Sequence, residues 1–349
     1  MTRGTGYKGE IDKVDASFNP APAGTPAIPR TDALGTGSLA IVEAEPRRAR
    51  DIMEAGRRHY GVLALRLGDG ASRRWLKKTA NPYRHEIDAL AAHMGEPGCV
   101  LLNLSYEWTC TSGVGPAPGN GGTGGSRLLR TLDWPLDGLG RNLVVAKRAG
   151  DAGAYYDVTW PGFVGVATAM APGRFSAAIN QPPMRRLTPS CGFDWVLNRW
   201  RVWRTRALPP SHLLRRVFDE CRTYAEAKAM LSAAPICTPA FFTLSGMAPA
   251  EGCVVERQED GAAVHEAPAS MANHWLSFDD KGWARGLDSV PRLEAMEDVR
   301  DGVGDDFSWL VPPILNPTTR VAVVANAAAG LLLVQGWEAD GPATRAFSL

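Results

Sequence analysis

The sequence changes character at Cys110, and this change constrains the fold more than any other feature. Before Cys110 the chain is mostly helical in pattern, with amphipathic segments at Pro46–Tyr60 and residues 82–94. After Cys110 short strand-like segments alternate with Gly/Pro turns, interrupted by two helices that begin at Ser211 and Thr223. Strands, helices and strands again predict a layered α+β fold with two antiparallel sheets between helices.

The part before Cys110 also contains less regular segments. Residues 38–42 and 61–67 favour strands, and residues 72–79 favour a helical turn. Residues 14–37 are rich in Pro, Gly, Ala and Thr without periodicity, which indicates an extended arm. We therefore divide the chain into an arm at 1–37, an N-terminal segment at 38–109 and a C-terminal segment at 110–349, the last two forming one composite domain.

The composition argues against several classes of function. Of 349 residues, 45% are hydrophobic and 21% are charged, and the net charge is +1. Electrostatics thus favour neither nucleic acid nor an anionic membrane as the main partner. The sequence shows neither the apolar core of a signal peptide nor about 18 uninterrupted apolar residues, so we expect a cytoplasmic location and no integral membrane segment.

Two motif classes point away from cofactors and metals. Residues 119–124 fit G-x-G-x-x-G, but proline-rich sequence precedes them and a strand-like segment at 128–133 follows. A dinucleotide site needs a strand before the glycines and a helix after them, so a flexible hairpin loop is the better interpretation. The six cysteines show no C-x-x-C or metal-type spacing. We expect mostly buried thiols, and neither a metal nor an organic cofactor.

Cys110 is the strongest candidate for chemistry. A cysteine taken alone is usually a small core residue. A thiol that attacks its own upstream carbonyl, at Thr109, would however form a thioester, and water would then free the cysteine amine. Such an amine has a pKa of about 8 in model compounds, so it can take the thiol proton and later protonate a leaving amine.

An Arg-x-x-Asp pair follows Cys110 at a short distance in sequence. Arg130 and Asp133 are three positions apart, so on a regular strand they face opposite sides unless a bulge or a strand end intervenes. A surface charge pair would explain most such pairs. The functional interpretation is that Asp133 orients the ammonium of Cys110, while Arg130 holds the thiolate or the substrate carbonyl.

These residues resemble a known family. Cys110-Thr-Ser, followed by Arg130-x-Leu-Asp133-Trp134, is similar to the acid ceramidase and N-acylethanolamine acid amidase group of N-terminal-nucleophile hydrolases. Further stretches resemble this group in order, at residues 102–110, 159–165, 171–180, 223–228, 239–242 and 251–257. The resemblance extends from about residue 82 to about residue 297. It implies a four-layer αββα sandwich and cleavage between Thr109 and Cys110.

The resemblance assigns roles to further residues. It makes Cys110 the nucleophile, and Arg292 matches a distal arginine that supports it. Asn273 matches an asparagine whose side chain helps to hold the tetrahedral oxyanion, and a backbone N–H at Asn180–Gln181 would add a second donor. The chain departs from the group at Gln181, where acyl-ceramide enzymes usually carry a glutamate. It also has a longer gap before the Arg-x-x-Asp pair.

The sequence thus predicts an autoprocessed hydrolase that cleaves a linear N-acyl amide with a hydrophobic acyl group. The expected partner is a small molecule, with self-association left open. Trp134, Trp160 and Phe163, with Trp108, either line an acyl pocket or belong to the core. Two alternatives remain, an acyltransferase on the same scaffold and a binding protein that keeps the fold but is never cleaved.

Overall fold

Two β-sheets packed face to face form the centre of the molecule. The computed structural model describes residues 21–22, 24–104, 108–118, 124–279 and 282–349. The helices in these ranges are α1 (Ser38–Ala44), α2 (Pro46–Tyr60), α3 (Val62–Thr79), α4 (Arg84–Met94), α5 (Cys191–Arg204), α6 (Pro210–Glu220), α7 (Tyr224–Ala233) and α8 (Ser289–Val299). The strands are β1 (Arg30–Asp32), β2 (Thr109–Pro116), β3 (Ser126–Asp133), β4 (Val144–Gly150), β5 (Gly153–Thr159), β6 (Thr168–Ala171), β7 (Phe175–Asn180), β8 (Ala240–Ser245), β9 (Gly252–Arg257), β10 (Ala262–Glu266), β11 (Ala269–Met271), β12 (Thr319–Asn326), β13 (Leu331–Glu338), β14 (Gly341–Pro342) and β15 (Phe347–Ser348).

The larger sheet has eight strands in the order β1-β4-β5-β6-β7-β8-β9-β10. The smaller sheet has the order β11-β2-β3-β12-β13-β14, with β15 also paired to β13. Neighbouring strands are antiparallel in both sheets, except that β1 runs parallel to β4. The end of the segment assigned to the arm therefore supplies an edge strand.

Helices cover the outer faces of the two sheets. Strands β2 and β3 of the smaller sheet contact β7 and β8 of the larger sheet across the interior. On the outside, α6 and α7 pack on the larger sheet and α8 packs on β2 and β11. The predicted α+β fold, an αββα sandwich of two sheets between helices, is confirmed.

The central strands of the smaller sheet are buried on both faces, so their polar side chains are buried along with the apolar ones. In β12 every residue is buried, because one face meets the larger sheet and the other meets the α8 side. Leu129, Met296 and Trp309 belong to the apolar cluster on that outer side, whereas Leu132 belongs to the central one. Alternate residues of β3 thus face different layers.

Two strand predictions in the N-terminal segment are wrong. Residues 38–42 belong to helix α1, where Ser38, Ile41 and Val42 are the buried residues at helical spacing. Residues 61–67 fall at the start of α3, in which Leu65 is buried while Leu63 and Leu67 are exposed. A short apolar run is compatible with the periodicity of a strand and with that of a helix, so tertiary packing decides between the two structures. The sequence also did not anticipate α5 or α8.

Two further expectations concern the glycine-rich segment and membrane-spanning helices. Strands β2 and β3 pair from Thr109 and Asp133 to Pro116 and Ser126, which places the glycine-rich segment at a hairpin connection. Residues 119–123 of that segment lie outside the described residues. Within the described ranges, no helix is both long enough and apolar enough to span a bilayer.

Candidate active site

Cys110 lies in β2 just beyond the end of a neighbouring strand. On one side it is the register partner of Leu132 in β3. On the other side β11 ends at Met271, which pairs with Ser112, so Cys110 has no strand partner there. Asn273, two residues past that end, takes the place of a strand, because its Oδ1 accepts a hydrogen bond from the Cys110 backbone N–H at 3.0 Å.

The thiol of Cys110 is fully buried between the sheets, with an exposed fraction of 0%. Its Sγ lies 3.6 Å from the Ile179 carbonyl oxygen. Arg130 Nη2 lies 3.3 Å from both the sulfur and that oxygen. Burial raises the pKa of the Cys110 thiol, while the Arg130 guanidinium acts in the opposite direction. Arg130 is therefore placed to stabilise a thiolate once the sulfur loses its proton.

Arg292, from α8, connects the groups on both sides of the Cys110 peptide unit. Its Nη1 donates to the Cys110 carbonyl oxygen at 2.8 Å and to Thr111 Oγ1 at 2.7 Å. Its Nη2 donates to Asn273 Oδ1 at 2.8 Å, and its Nε donates to the Leu287 carbonyl oxygen at 2.8 Å. One planar guanidinium thus fixes both β2, which carries the Cys110 thiol, and the Asn273 side chain, which accepts a hydrogen bond from the Cys110 N–H.

Asp133 lies at the end of β3, where the opposite strand is irregular. The register of β12 shifts between Thr319 and Val321, opposite this position. The Asp133 carboxylate accepts hydrogen bonds from Thr319 Oγ1 at 2.9 Å and Asn316 Nδ2 at 3.0 Å, and it lies 3.7 Å from Arg292 Nη1. Burial raises the pKa of Asp133, opposed by Arg292. Its role toward a free ammonium stays a prediction.

The amide side chains at the site have distinct partners. Asn273 Nδ2 donates to the Gln181 carbonyl oxygen at 2.7 Å. Its amide group therefore holds the Cys110 backbone nitrogen through Oδ1 and the Gln181 backbone through Nδ2. Asn180 lies deeper, where its Nδ2 donates to Ser112 Oγ and the Met271 carbonyl oxygen, both at 3.1 Å. The Asn180 side chain thus links the two sheets. The oxyanion donor expected at Asn180–Gln181 is a backbone N–H and does not involve this side chain.

The four aromatic residues form one buried cluster. Trp160 and Phe163 stack with ring centroids 4.6 Å apart, and Trp108 meets Phe163 edge-on at 5.6 Å. Trp134 lies 6.2 Å from Trp108. All four belong to the central apolar cluster that also contains Cys110. These four side chains act as core in this structure.

A pocket of about 390 Å³ lies beside Asn273. Its wall includes His274, whose Nδ1 lies 2.8 Å from Ser289 Oγ, and that oxygen also accepts from the Asn273 N–H at 2.8 Å. Gly286, with φ of 65°, lies between this pocket and Thr109, because a Cβ there would lie 2.5 Å from Thr109 Cγ2. Only glycine fits this approach. The pocket wall at Gly286 therefore packs against Thr109.

Several of these contacts were not predicted. Ile179, Thr319 and Ser289 hold the predicted residues in place, yet nothing in their sequence context distinguishes them. Gly286 follows Arg285 in a segment without a recognisable turn signature. Among the residues that the structure describes, His, Cys, Asp and Glu form no group of three suited to a metal ion.

The burial of Cys110 predicts a labelling pattern. In the uncleaved chain we expect iodoacetamide to modify Cys191, which is exposed, and not Cys110, whose thiol is buried with a raised pKa. Peptide mass spectrometry after native labelling measures this. Peptides that span the Thr109–Cys110 bond report the uncleaved fraction separately. Modification of Cys110 as fast as Cys191 in those peptides would contradict the buried position.

Comparisons with known proteins identify relatives of the chain. No family model matches the chain. The acid ceramidase of Balaenoptera acutorostrata scammoni is 33% identical over 129 residues, which cover 37% of this chain and 29% of that protein. The N-acylethanolamine-hydrolyzing acid amidase of Oryctolagus cuniculus is 29% identical over 244 residues, or 66% of this chain and 64% of that one.

A solved structure, the Caenorhabditis elegans N-acylethanolamine-hydrolyzing acid amidase (NAAA) ortholog, is 18% identical with a TM-score of 0.48 and covers 68% of this chain and 99% of that chain. The matched region spans less than a third of the acid ceramidase and just under two thirds of the rabbit amidase. By sequence, the chain is a homologue of acid ceramidase and of N-acylethanolamine-hydrolyzing acid amidase.

Proposed function

We propose that the chain is a cysteine amidohydrolase that activates itself by cleaving the Thr109–Cys110 bond and then hydrolyses a linear N-acyl amide. One observation carries the proposal. Arg130, Asn273 and Arg292 lie 20, 163 and 182 positions from Cys110, and all three bond to its thiol, amide or carbonyl. Any buried backbone N–H and C=O needs a partner, but a purely structural cysteine does not need a buried guanidinium 3.3 Å from its thiol, as Arg130 provides.

The self-cleavage step follows from these contacts. The Cys110 thiol attacks the Thr109 carbonyl carbon, and the C–N bond breaks as the nitrogen takes up a proton, leaving a thioester on Sγ. Asn273 Oδ1 already holds the departing nitrogen at 3.0 Å. Water then hydrolyses the thioester, which frees the Thr109 carboxylate and the Cys110 thiol. The products are segments 1–109 and 110–349.

The same groups support turnover of substrate. The free amine of Cys110 accepts the thiol proton, and the thiolate next to Arg130 attacks the amide carbonyl. Asn273 Nδ2 and a backbone N–H near Gln181 stabilise the oxyanion, a contribution worth about a hundred- to a thousand-fold in rate per donor. The ammonium protonates the leaving amine, and water releases the acid.

Two observations support a substrate with a hydrophobic acyl group. The names of the two homologues describe ceramide and N-acylethanolamine cleavage. The pocket beside Asn273 is lined in part by Trp275 and Phe278, which give it apolar surface. Together they favour an N-acyl amide whose acyl chain is apolar.

Mass spectrometry of the intact, purified protein tests the proposal. We expect two fragments, 1–109 and 110–349, the second beginning with Cys110, and covalent capture of that cysteine by a thiol-directed acyl probe. A panel of N-acyl amides with varied head groups then identifies the substrate class, and an added amine acceptor separates hydrolysis from acyl transfer. A protein that remains one chain and does not react with the probe would refute the proposal.

A further inference from the structure

The segment from Asn273 to Phe278 connects the surroundings of Cys110 with the pocket wall. Asn273 accepts a hydrogen bond from the Cys110 N–H, whereas Trp275 and Phe278 line the pocket of about 390 Å³. The segment forms neither helix nor strand. Its backbone N–H groups therefore lack partners from regular secondary structure, and a buried N–H without a partner is costly. Side chains from other elements must fix the course of this segment.

The carboxylate of Glu256, in β9, holds the far end of this segment. Its Oε1 accepts a hydrogen bond from the Leu276 N–H at 2.6 Å, and its Oε2 accepts one from the Ser277 N–H at 2.8 Å. Oε2 also lies 3.2 Å from His265 Nε2, which in turn lies 3.0 Å from Ser277 Oγ. Both carboxylate oxygens are thus bonded to the two residues that separate the aromatic side chains of the pocket wall.

Glu256 is an unusual residue for its position, because it is fully buried beside an apolar cluster. Val254, two positions earlier in β9 and therefore on the same face, belongs to that cluster together with Trp275. So does Phe241, the register partner of Glu256 in β8. A buried carboxylate is costly unless its oxygens are hydrogen-bonded, and an apolar side chain would extend the cluster without this cost. The backbone groups that Glu256 holds therefore explain its presence.

The arrangement of the aromatic wall depends on this attachment. The Trp275 ring meets the Phe241 ring edge-on at 4.8 Å and the Phe278 ring edge-on at 5.2 Å. Phe241 is fixed by its strand, whereas Trp275 and Phe278 belong to the irregular segment. Because the two residues bonded to Glu256 lie between Trp275 and Phe278 in sequence, the carboxylate sets how the two rings face each other.

The near end of the segment is held independently of Glu256. The Asn273 N–H donates to Ser289 Oγ at 2.8 Å, and Arg292 Nη2 donates to Asn273 Oδ1 at 2.8 Å. Both partners come from α8, on the opposite side of the segment from β9 in the chain. Loss of the Glu256 carboxylate should therefore disturb the pocket wall while the contacts at Cys110 remain.

We propose that Glu256 is a positioning residue that sets the acyl-chain selectivity of the candidate active site. It acts through the backbone of Leu276 and Ser277, and it thereby keeps Trp275 and Phe278 in the arrangement that gives the pocket its apolar surface. A long acyl chain gains from that surface in proportion to the apolar area it buries, whereas an acetyl group gains little. The inference rests on the proposed function for its substrate, but binding of an acyl chain by the uncleaved protein requires no catalysis.

Calorimetry on the uncleaved Cys110→Ala chain tests the pocket wall without turnover. We expect N-decanoylethanolamine to bind, N-acetylethanolamine to bind at least about tenfold more weakly, and an added Glu256→Gln change to weaken decanoyl binding about tenfold. Glutamine keeps the shape of the side chain but turns one acceptor into a donor that faces a backbone N–H. Absence of decanoyl binding, equal binding of the two ligands, or unchanged decanoyl binding in the folded Glu256→Gln variant would overturn the proposal.

Kinetics of the mature protein separate positioning from catalysis. In Glu256→Gln we expect KM for the decanoyl amide to rise about tenfold, with kcat and self-cleavage unchanged, while KM for the acetyl amide changes less than about twofold. The matched control is Glu338→Gln, because Glu338 is a buried glutamate of the other sheet that accepts hydrogen bonds from the Gly138 and Arg141 N–H groups. It should lower stability and leave both KM values intact.

The pattern of KM values decides between the two roles of Glu256. Equal increases for both amides, or the same increase in Glu338→Gln, would make Glu256 a structural residue only. An unmodified chain that hydrolyses neither amide would instead refute the proposed function, and the calorimetric result would still decide the role of Glu256.

His265→Ala provides a second variant that spares the buried carboxylate. His265 is partly exposed and is the third partner of Glu256, so its loss should raise KM for the decanoyl amide about threefold and leave the acetyl amide unaffected. If Glu256→Gln does not fold, this variant decides alone, and unchanged selectivity in His265→Ala would then overturn the proposal.

Discussion

Cys110→Ala is expected to purify as a single uncleaved chain with amide hydrolysis reduced by at least about 10⁴-fold. Removal of Sγ removes the nucleophile for both self-cleavage and turnover, and losses of about this size or larger follow deletion of a covalent nucleophile. The chain should still fold, because Arg130 keeps its hydrogen bond to the Ile179 carbonyl oxygen. Intact mass, thermal unfolding and steady-state hydrolysis of an N-acyl amide measure these three results.

Cys237→Ala provides the matched control. Cys237 is also a buried free thiol, and burial raises its pKa to about 12, but it packs in the apolar cluster beside the N-terminal helices. Its loss should lower the stability modestly and leave cleavage and activity intact. Cleavage that persists in Cys110→Ala, or that fails in both variants to the same degree, would remove Cys110 from its proposed role.

The sequence predicted the layers of the fold better than the details of the site. Antiparallel pairing of β2 with β3 places Cys110 and Arg130 in adjacent strands. Their proximity therefore follows from a hairpin, which the glycine-rich segment between the two strands indicates. Asn273 and Arg292 are different. They reach Cys110 across 163 and 182 positions, and only the resemblance identified them.

What each distant residue does could not be read from the sequence. Asn273 replaces a missing strand partner because β11 ends two residues earlier, and that end depends on tertiary register. The same limit explains α5. Its aromatic residues have weak helix propensity, yet Ser190 caps the helix and Asp194 anchors it with the aromatic face outward.

Arg292→Met should stop self-cleavage and also lower the free energy of unfolding by about 3–5 kcal/mol. Arg292 is buried and donates to Cys110, Thr111 and Asn273, so the variant leaves three buried acceptors without this donor and leaves Asp133 without its nearest guanidinium. Asn273 Oδ1 then loses the contact that directs it at the Cys110 N–H. Urea unfolding and the rate of fragment appearance on a gel measure the two effects.

A second buried arginine separates stability from positioning. Arg127 is on the same strand as Arg130, but it donates to the carbonyl oxygens of Arg300, Val303 and Gly304, away from Cys110. Arg127→Met should destabilise the fold to a similar extent and still cleave when folded, because the contacts at Cys110 remain. If folded Arg292→Met cleaved at the same rate as Arg127→Met, Arg292 would be a structural residue only, and the positioning role inferred from its fork of hydrogen bonds would be wrong.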